Sequence, residues 1–212
     1  MKIELKNVII ESKTDLKYLN NIKDYIDENE KRILDFFKLN KLNKKYNVII
    51  MPFNEFKSFI KNKYGQYNDY VRGDTDKESK TIRILSIEDQ LKYTTHKNVT
   101  LDDYLKMILH EFVHACNDEL NNDYNETIWF SEGLATNLSN QSYKIMNLSN
   151  CDFEKLKKNW YNYGPNKYDY AYTIVKHIIN NYSQDEIIKL ISDAKYLRDK
   201  CDNIFKEILF LQ

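Results

Sequence analysis

Apolar and polar residues alternate from Lys2 to Ile10, the period of a half-buried strand. From Asp15 to Leu39 the period lengthens. Leu16, Leu19, Ile22, Ile26, Ile33, Leu34 and Phe37 recur at helical spacing and predict one long amphipathic helix. Tyr46 to Met51 is a β-rich run that ends at Pro52, and Asn54 is placed to cap a short helix running through Lys61. Tyr64 to Ser79 is polar, is broken by Gly65 and Gly73, and reads as an irregular connection. Thr81 to Ile87 is a further strand.

The clearest helix follows. Thr100 and Asp103 stand at capping-box spacing, and Asp102 adds negative charge to the first turn. Leu101, Tyr104, Leu105, Ile108, Phe112 and Ala115 then form one apolar stripe. Further helices are predicted over Thr127–Tyr143, Asp152–Tyr161 and Tyr168–Asn181. A C-terminal pair opens at Ser183, where Glu186 repeats the capping-box spacing. The pattern is that of one α+β domain over residues 1–212, strand-rich over 1–99 and helical over 100–212.

Composition narrows the partners more than the fold. Lys plus Arg and Asp plus Glu number 32 each, for a formal net charge of zero, so the basic field expected of a nucleic-acid-binding protein is missing. Charged residues make up 30% of the chain, and no stretch approaches the roughly 20 apolar residues of a spanning helix, so a soluble chain without a membrane partner is expected. Three cysteines, Cys116, Cys151 and Cys201, have no paired spacing and fit reduced thiols. The first ten residues lack the features of a signal peptide, so a cytoplasmic location is expected.

The chain has only four histidines, and two of them lie in His110-Glu111-Phe112-Val113-His114. On a helix, residues four apart share a face, so both imidazoles can reach one ion. Glu111 is rotated by about 100° from His110, which lets its carboxylate act on a water beside the ion instead of binding it. The stripe through Ile108 and Phe112 points nearly opposite, turning the histidines away from the core. A catalytic zinc takes three protein ligands and keeps one position open, and two histidines with a glutamate are a common set. Glu132, eighteen residues after His114, lies in Trp129-Phe130-Ser131-Glu132-Gly133-Leu134-Ala135. Glu132 lies there among apolar neighbours, where a metal partner removes the cost of a buried carboxylate. Gly133 inside a helix costs about 1 kcal/mol relative to Ala and so asks for a packing reason, for which close approach of the two metal-bearing helices is the expectation. The ligand set is therefore His110, His114 and Glu132, holding one zinc ion per chain, with Glu111 as the base.

His-Glu-Phe-Val-His followed by Trp-Phe-Ser-Glu-Gly-Leu-Ala resembles the gluzincin metallopeptidases, in particular the small peptidase-MA-like domains. The likeness covers about residues 15–190, including the order of Val48–Met51, Phe53-Asn54-Glu55-Phe56, Val71-Arg72-Gly73, Ile82–Ile87 and Tyr168–Tyr172, and is specific at the two zinc motifs. It implies a zincin-like fold, with a small mixed sheet packed on the motif helix and a helical C-terminal subdomain that supplies the glutamate. It also implies hydrolysis of peptide bonds in a peptide or protein substrate, which docks along an edge strand for which Thr81–Ile87 is the candidate. A Tyr or His from a later helix would stabilise the oxyanion. Tyr168 matches that position best, ahead of Tyr170, Tyr172 and His177. Thr136 and Asn137, one turn past Glu132, are placed to orient a metal ligand, where the family commonly has a carboxylate. Two other readings share the ligand set: a regulatory protease of the ImmA type acting on a single protein partner, against which the Trp-x-x-Glu-Gly-x-Ala context speaks, and a zinc-binding module without activity, against which Glu111 speaks.

Overall fold

A computed structural model describes residues 2–14, 17–121 and 123–211. The chain divides into two compact units, residues 1–35 with Leu39–Ala115 and Phe36–Lys38 with Cys116–Gln212. The division falls within the helix that carries the His-Glu-x-x-His motif.

The first unit is built on a mixed five-stranded sheet in the order β1-β2-β3-β5-β4. The N-terminal alternation is not one strand but two, β1 (Lys2–Glu4) and β2 (Val8–Ser12), paired antiparallel. The chain reverses at Leu5–Asn7 because Asn7 is held from several sides. Its amide donates to Glu30 Oε1 at 2.6 Å, its side-chain oxygen accepts from Leu42 N–H at 2.7 Å, and its carbonyl accepts from Tyr46 N–H at 3.0 Å. These bonds satisfy a polar side chain that is itself buried. Helix α1 (Leu19–Phe36) then leads to β3 (Tyr46–Met51), parallel to β2. It begins later than the apolar periodicity suggests; Asp15 and Leu16 lie outside the described residues.

Helix α2 (Phe53–Tyr64) follows at once. Asn54 is not its cap: Pro52 is, with φ −71° and ψ 155°, and Asp89 takes the Phe53 N–H at 2.7 Å. The polar connection then contains an unexpected strand, β4 (Gly73–Asp76), which pairs antiparallel with β5 (Thr81–Leu85). Because β5 also pairs parallel with β3, it is an interior strand and β4 is the edge. This overturns Thr81–Ile87 as an edge for an extended peptide, since both its flanks are already hydrogen-bonded. Val48, Ile50, Ile82 and Ile84 are buried on one face of the sheet. On the other, Met51 and Leu85 pack with Phe56 and Ile60 of α2. A further helix, α3 (Ile87–Tyr93), is capped by Ser86.

Helix α4 (Leu101–Leu120) carries the motif. Its start is the expected box: Thr100 N–H donates to Asp103 Oδ2 at 3.0 Å, and Asp103 N–H to Thr100 Oγ1 at 3.1 Å.

The second unit is helical. Helix α5 (Ile128–Leu138) stops five residues short of the expected Tyr143, and α6 is Phe153–Lys158. Helix α7 (Lys167–Asn181) is followed by α8 (Gln184–Ser192), where the Ser183–Glu186 capping box is present, and by α9 (Ala194–Leu211). Trp129 meets Phe153 edge-on at 5.3 Å, and Phe153 stacks on Phe205 of α9 at 4.4 Å. Among the described residues the chain is thus a mixed α+β protein with five strands and nine α-helices, none of them long and apolar enough to cross a membrane.

Candidate metal centre

His110, Glu111 and His114 stand in the middle of α4, where the helix is closed in on more sides than one apolar stripe predicts. Leu109, Val113 and Cys116 are buried along with Ile108, Phe112 and Ala115. His110 and Glu111 are only 9% and 8% exposed. The two imidazoles meet edge to face at 4.7 Å, with their Nε2 atoms 3.1 Å apart. Two nitrogens bound to one tetrahedral zinc at 2.0–2.1 Å would lie about 3.3 Å apart, so the pair already has the spacing of a shared ion. Glu132 on α5 completes the set: one ligand atom from each of His110, His114 and Glu132 lies within 4.8 Å of the others. Two neutral imidazoles and one carboxylate are borderline donors suited to zinc, and the group can hold a metal ion.

Glu111 is held from strand β4. The Thr75 hydroxyl donates to Glu111 Oε2 at 2.7 Å and lies 3.0 Å from the Glu111 backbone carbonyl. At Gly73, on the same face of the strand, a Cβ would stand 2.5 Å from Glu111 Oε1. Composition alone hides both contacts, because Gly-Asp-Thr-Asp lacks the apolar alternation that marks a strand.

Glu132 is flanked by Gly133, and the reason for that glycine differs from the expected one. A Cβ there would stand 2.4 Å from Val175 Cγ2 and 2.6 Å from the Ala171 carbonyl, so the close approach is to α7. Thr136 and Asn137 do not stand in for a carboxylate supporting the metal. Thr136 Oγ1 bonds the Glu132 and Gly133 carbonyls at 2.9 and 3.0 Å, and Asn137 Nδ2 donates to the Gly133 carbonyl at 2.8 Å and to that of Tyr172 at 3.1 Å. Both brace the backbone of α5.

Lys167 is a residue that the sequence does not single out. It is buried at the start of α7, and burial pushes its pKa down while the Glu132 carboxylate opposes the shift. Its ammonium lies 5.1 Å from the Trp160 ring and 5.4 Å from that of Tyr168. The only signal in the sequence is one lysine at a helix start amid aromatics, which reads equally well as a solvated surface.

Tyr168 is half-buried, edge-on to Trp160 at 5.2 Å and stacked with Tyr143 at 6.0 Å. Tyr170 is buried and directs its hydroxyl to the Asn150 carbonyl at 3.3 Å. Tyr172 lies beside Lys176, its hydroxyl 3.3 Å from the ammonium. His177 faces Glu207 of α9 at 3.4 Å. His96 lies 3.3 Å from the Tyr70 carbonyl, and burial lowers its pKa. Cys116, Cys151 and Cys201 are thiols, with burial raising the last two to about 11.

Comparison with protein-family models gives no match to this chain, and comparison with curated proteins gives none either.

Proposed function

We propose that the protein is a zinc-dependent metallopeptidase of gluzincin type on a zincin-like fold, with His110, His114 and Glu132 as ligands and Glu111 as general base. The observation that carries the reading is the convergence of those three ligand atoms within 4.8 Å, with the buried Glu111 on the helix of the two histidines. A zinc ion held there supplies Lewis acidity, acidifying water and polarising a carbonyl. Glu111 accepts a proton from the attacking water as its oxygen adds to the carbonyl carbon. It then returns that proton to the amide nitrogen as the C–N bond breaks, giving a carboxylic acid and an amine. An extended peptide adding to edge strand β4 would run past Glu111, so β4 takes the docking role expected of β5. Tyr168, at the start of α7, is the proposed donor to the oxyanion.

The test is metal analysis with digestion of a mixed peptide library read by mass spectrometry. About one zinc per chain is expected, lost in His110→Ala, His114→Ala and Glu132→Ala. Glu111→Gln should keep zinc and lose activity by a factor of about 10² to 10⁴. Tyr168→Phe in the same assay should lower kcat by about 10² to 10³. Full zinc in the three ligand variants overturns the metal centre; zinc without any hydrolysis points to a binding module.

A further inference from the structure

Strand β4 has two faces with different work. Asp74 and Asp76 point to one side, where Lys63 bonds Asp74 at 2.9 Å and Arg83 lies 3.6 Å from it. Gly73 and Thr75, two residues apart, share the side that meets Glu111. A threonine hydroxyl has a single proton to give. Of its two acceptors on Glu111, the carboxylate oxygen at 2.7 Å is closer than the backbone carbonyl at 3.0 Å, so the proton goes to Oε2.

The other oxygen, Oε1, lies against Gly73. A methyl group there would meet Oε1 at 2.5 Å, Cδ at 2.9 Å and Cγ at 3.0 Å. Gly73 does not have positive φ, so alanine brings no backbone strain. The contact is with the far end of a flexible side chain, which can yield. The glycine therefore serves the carboxylate's position and not the chain's path.

We infer that β4 assigns separate tasks to the two oxygens of Glu111: Thr75 anchors Oε2, and Gly73 leaves the space in which Oε1 takes the proton from the attacking water. Thr75 and Gly73 are positioning residues that act through Glu111, an inference that rests on the proposed role of Glu111 as base. The anchor fixes a side chain that would otherwise sample several rotamers, so each proton transfer starts from one geometry. Because β4 is also the sheet edge, the strand proposed to receive the peptide is the strand that aims the base at it.

The test compares Thr75→Val, Thr75→Ser and Gly73→Ala with the wild type by zinc content, kinetics and crystal structure. All should bind zinc as the wild type does. Thr75→Val should lose about tenfold to a hundredfold in kcat with KM within about twofold, the usual worth of a hydrogen bond to a carboxylate; Gly73→Ala should lower kcat with KM likewise little changed, by displacing Oε1; and Thr75→Ser should restore the rate. In the Thr75→Val crystal the carboxylate should leave its place on β4. A purely structural threonine would lower Tm in Thr75→Val while leaving kcat and the carboxylate unmoved, and that result overturns the inference. If Thr75→Val does not fold, Gly73→Ala with an unshifted carboxylate or a wild-type kcat overturns it. A wild type that hydrolyses nothing refutes the proposed function instead, and the crystal structures still decide whether Thr75 holds Oε2.

Discussion

At position 133 a methyl group has nowhere to go. The atoms it would meet are the branched end of Val175 at 2.4 Å and the backbone carbonyl of Ala171 at 2.6 Å. A carbonyl within a helix cannot rotate away as the tip of Glu111 can beside Gly73, so α5 and α7 would have to part. Alanine gains about 1 kcal/mol of helix propensity over glycine, while forcing a group into a filled contact costs about 1–3 kcal/mol. The backbone clash puts Gly133→Ala toward the upper end of that range, and a net loss of about 1–2 kcal/mol is expected. For a chain of this length that lowers Tm by about 2–8 °C. Thermal unfolding of the purified variant checks it, and an unchanged or raised Tm would mean that the two helices have slack. The neighbouring Glu132 makes the site a second reporter: zinc affinity should weaken along with Tm.

Helix α4 depends on its first turn. The Thr100 side chain takes the Asp103 N–H, and the Asp103 carboxylate takes both the N–H and the hydroxyl of Thr100. Thr100→Ala should cost about 1 kcal/mol, as loss of an N-cap usually does. The backbone N–H of Thr100, then its hydroxyl, hold the Asp103 carboxyl below its ordinary range. The folded-state pKa is thus depressed. The stabilisation from ionised Asp103 is complete above the ordinary Asp value and is lost as pH falls through the folded value. The stability gap between wild type and Thr100→Ala should therefore narrow on acidification below about pH 4, as urea denaturation across pH would show. The Thr100 N–H still donates to Asp103 in the variant, so a gap that stays constant would mean that the hydroxyl's bond to the carboxylate adds nothing. Elements with such boxes were legible in the sequence, α4 and α8 alike. Helix α3 carried the same signal, Ser86 followed by Asp89, but it was masked by the strand directly before it. Strand β4 was not legible at all. Its four residues bury one acidic side chain in an ion pair with Lys63 and turn a glycine and a threonine to the motif helix, so no apolar period exists to be read.

Across the whole chain the candidate ligands were readable because local geometry links them: His110 and His114 are one helical turn apart, and Glu132 follows in a distinctive apolar run. Thr75 and Lys167 were not, because only tertiary structure brings Thr75 to Glu111 across 36 positions or buries a lysine near Glu132. The same dependence makes metal binding a property of the folded chain. Unfolding separates Glu132 from the histidines, so an ion bound by all three favours the native state alone, and its binding energy adds to folding stability. At a free zinc concentration about a thousandfold above Kd the gain is about 4 kcal/mol, which for a chain of 212 residues corresponds to a rise in Tm of about 8–16 °C. Scanning calorimetry of chelator-treated protein, with and without added zinc, measures it. His110→Ala and Glu132→Ala should lose nearly all of the shift. Glu111→Gln should keep it, since Glu111 is not among the three ligands. An equal zinc-dependent rise in His110→Ala would place the metal somewhere other than this centre, and the proposed chemistry would have to be abandoned with it.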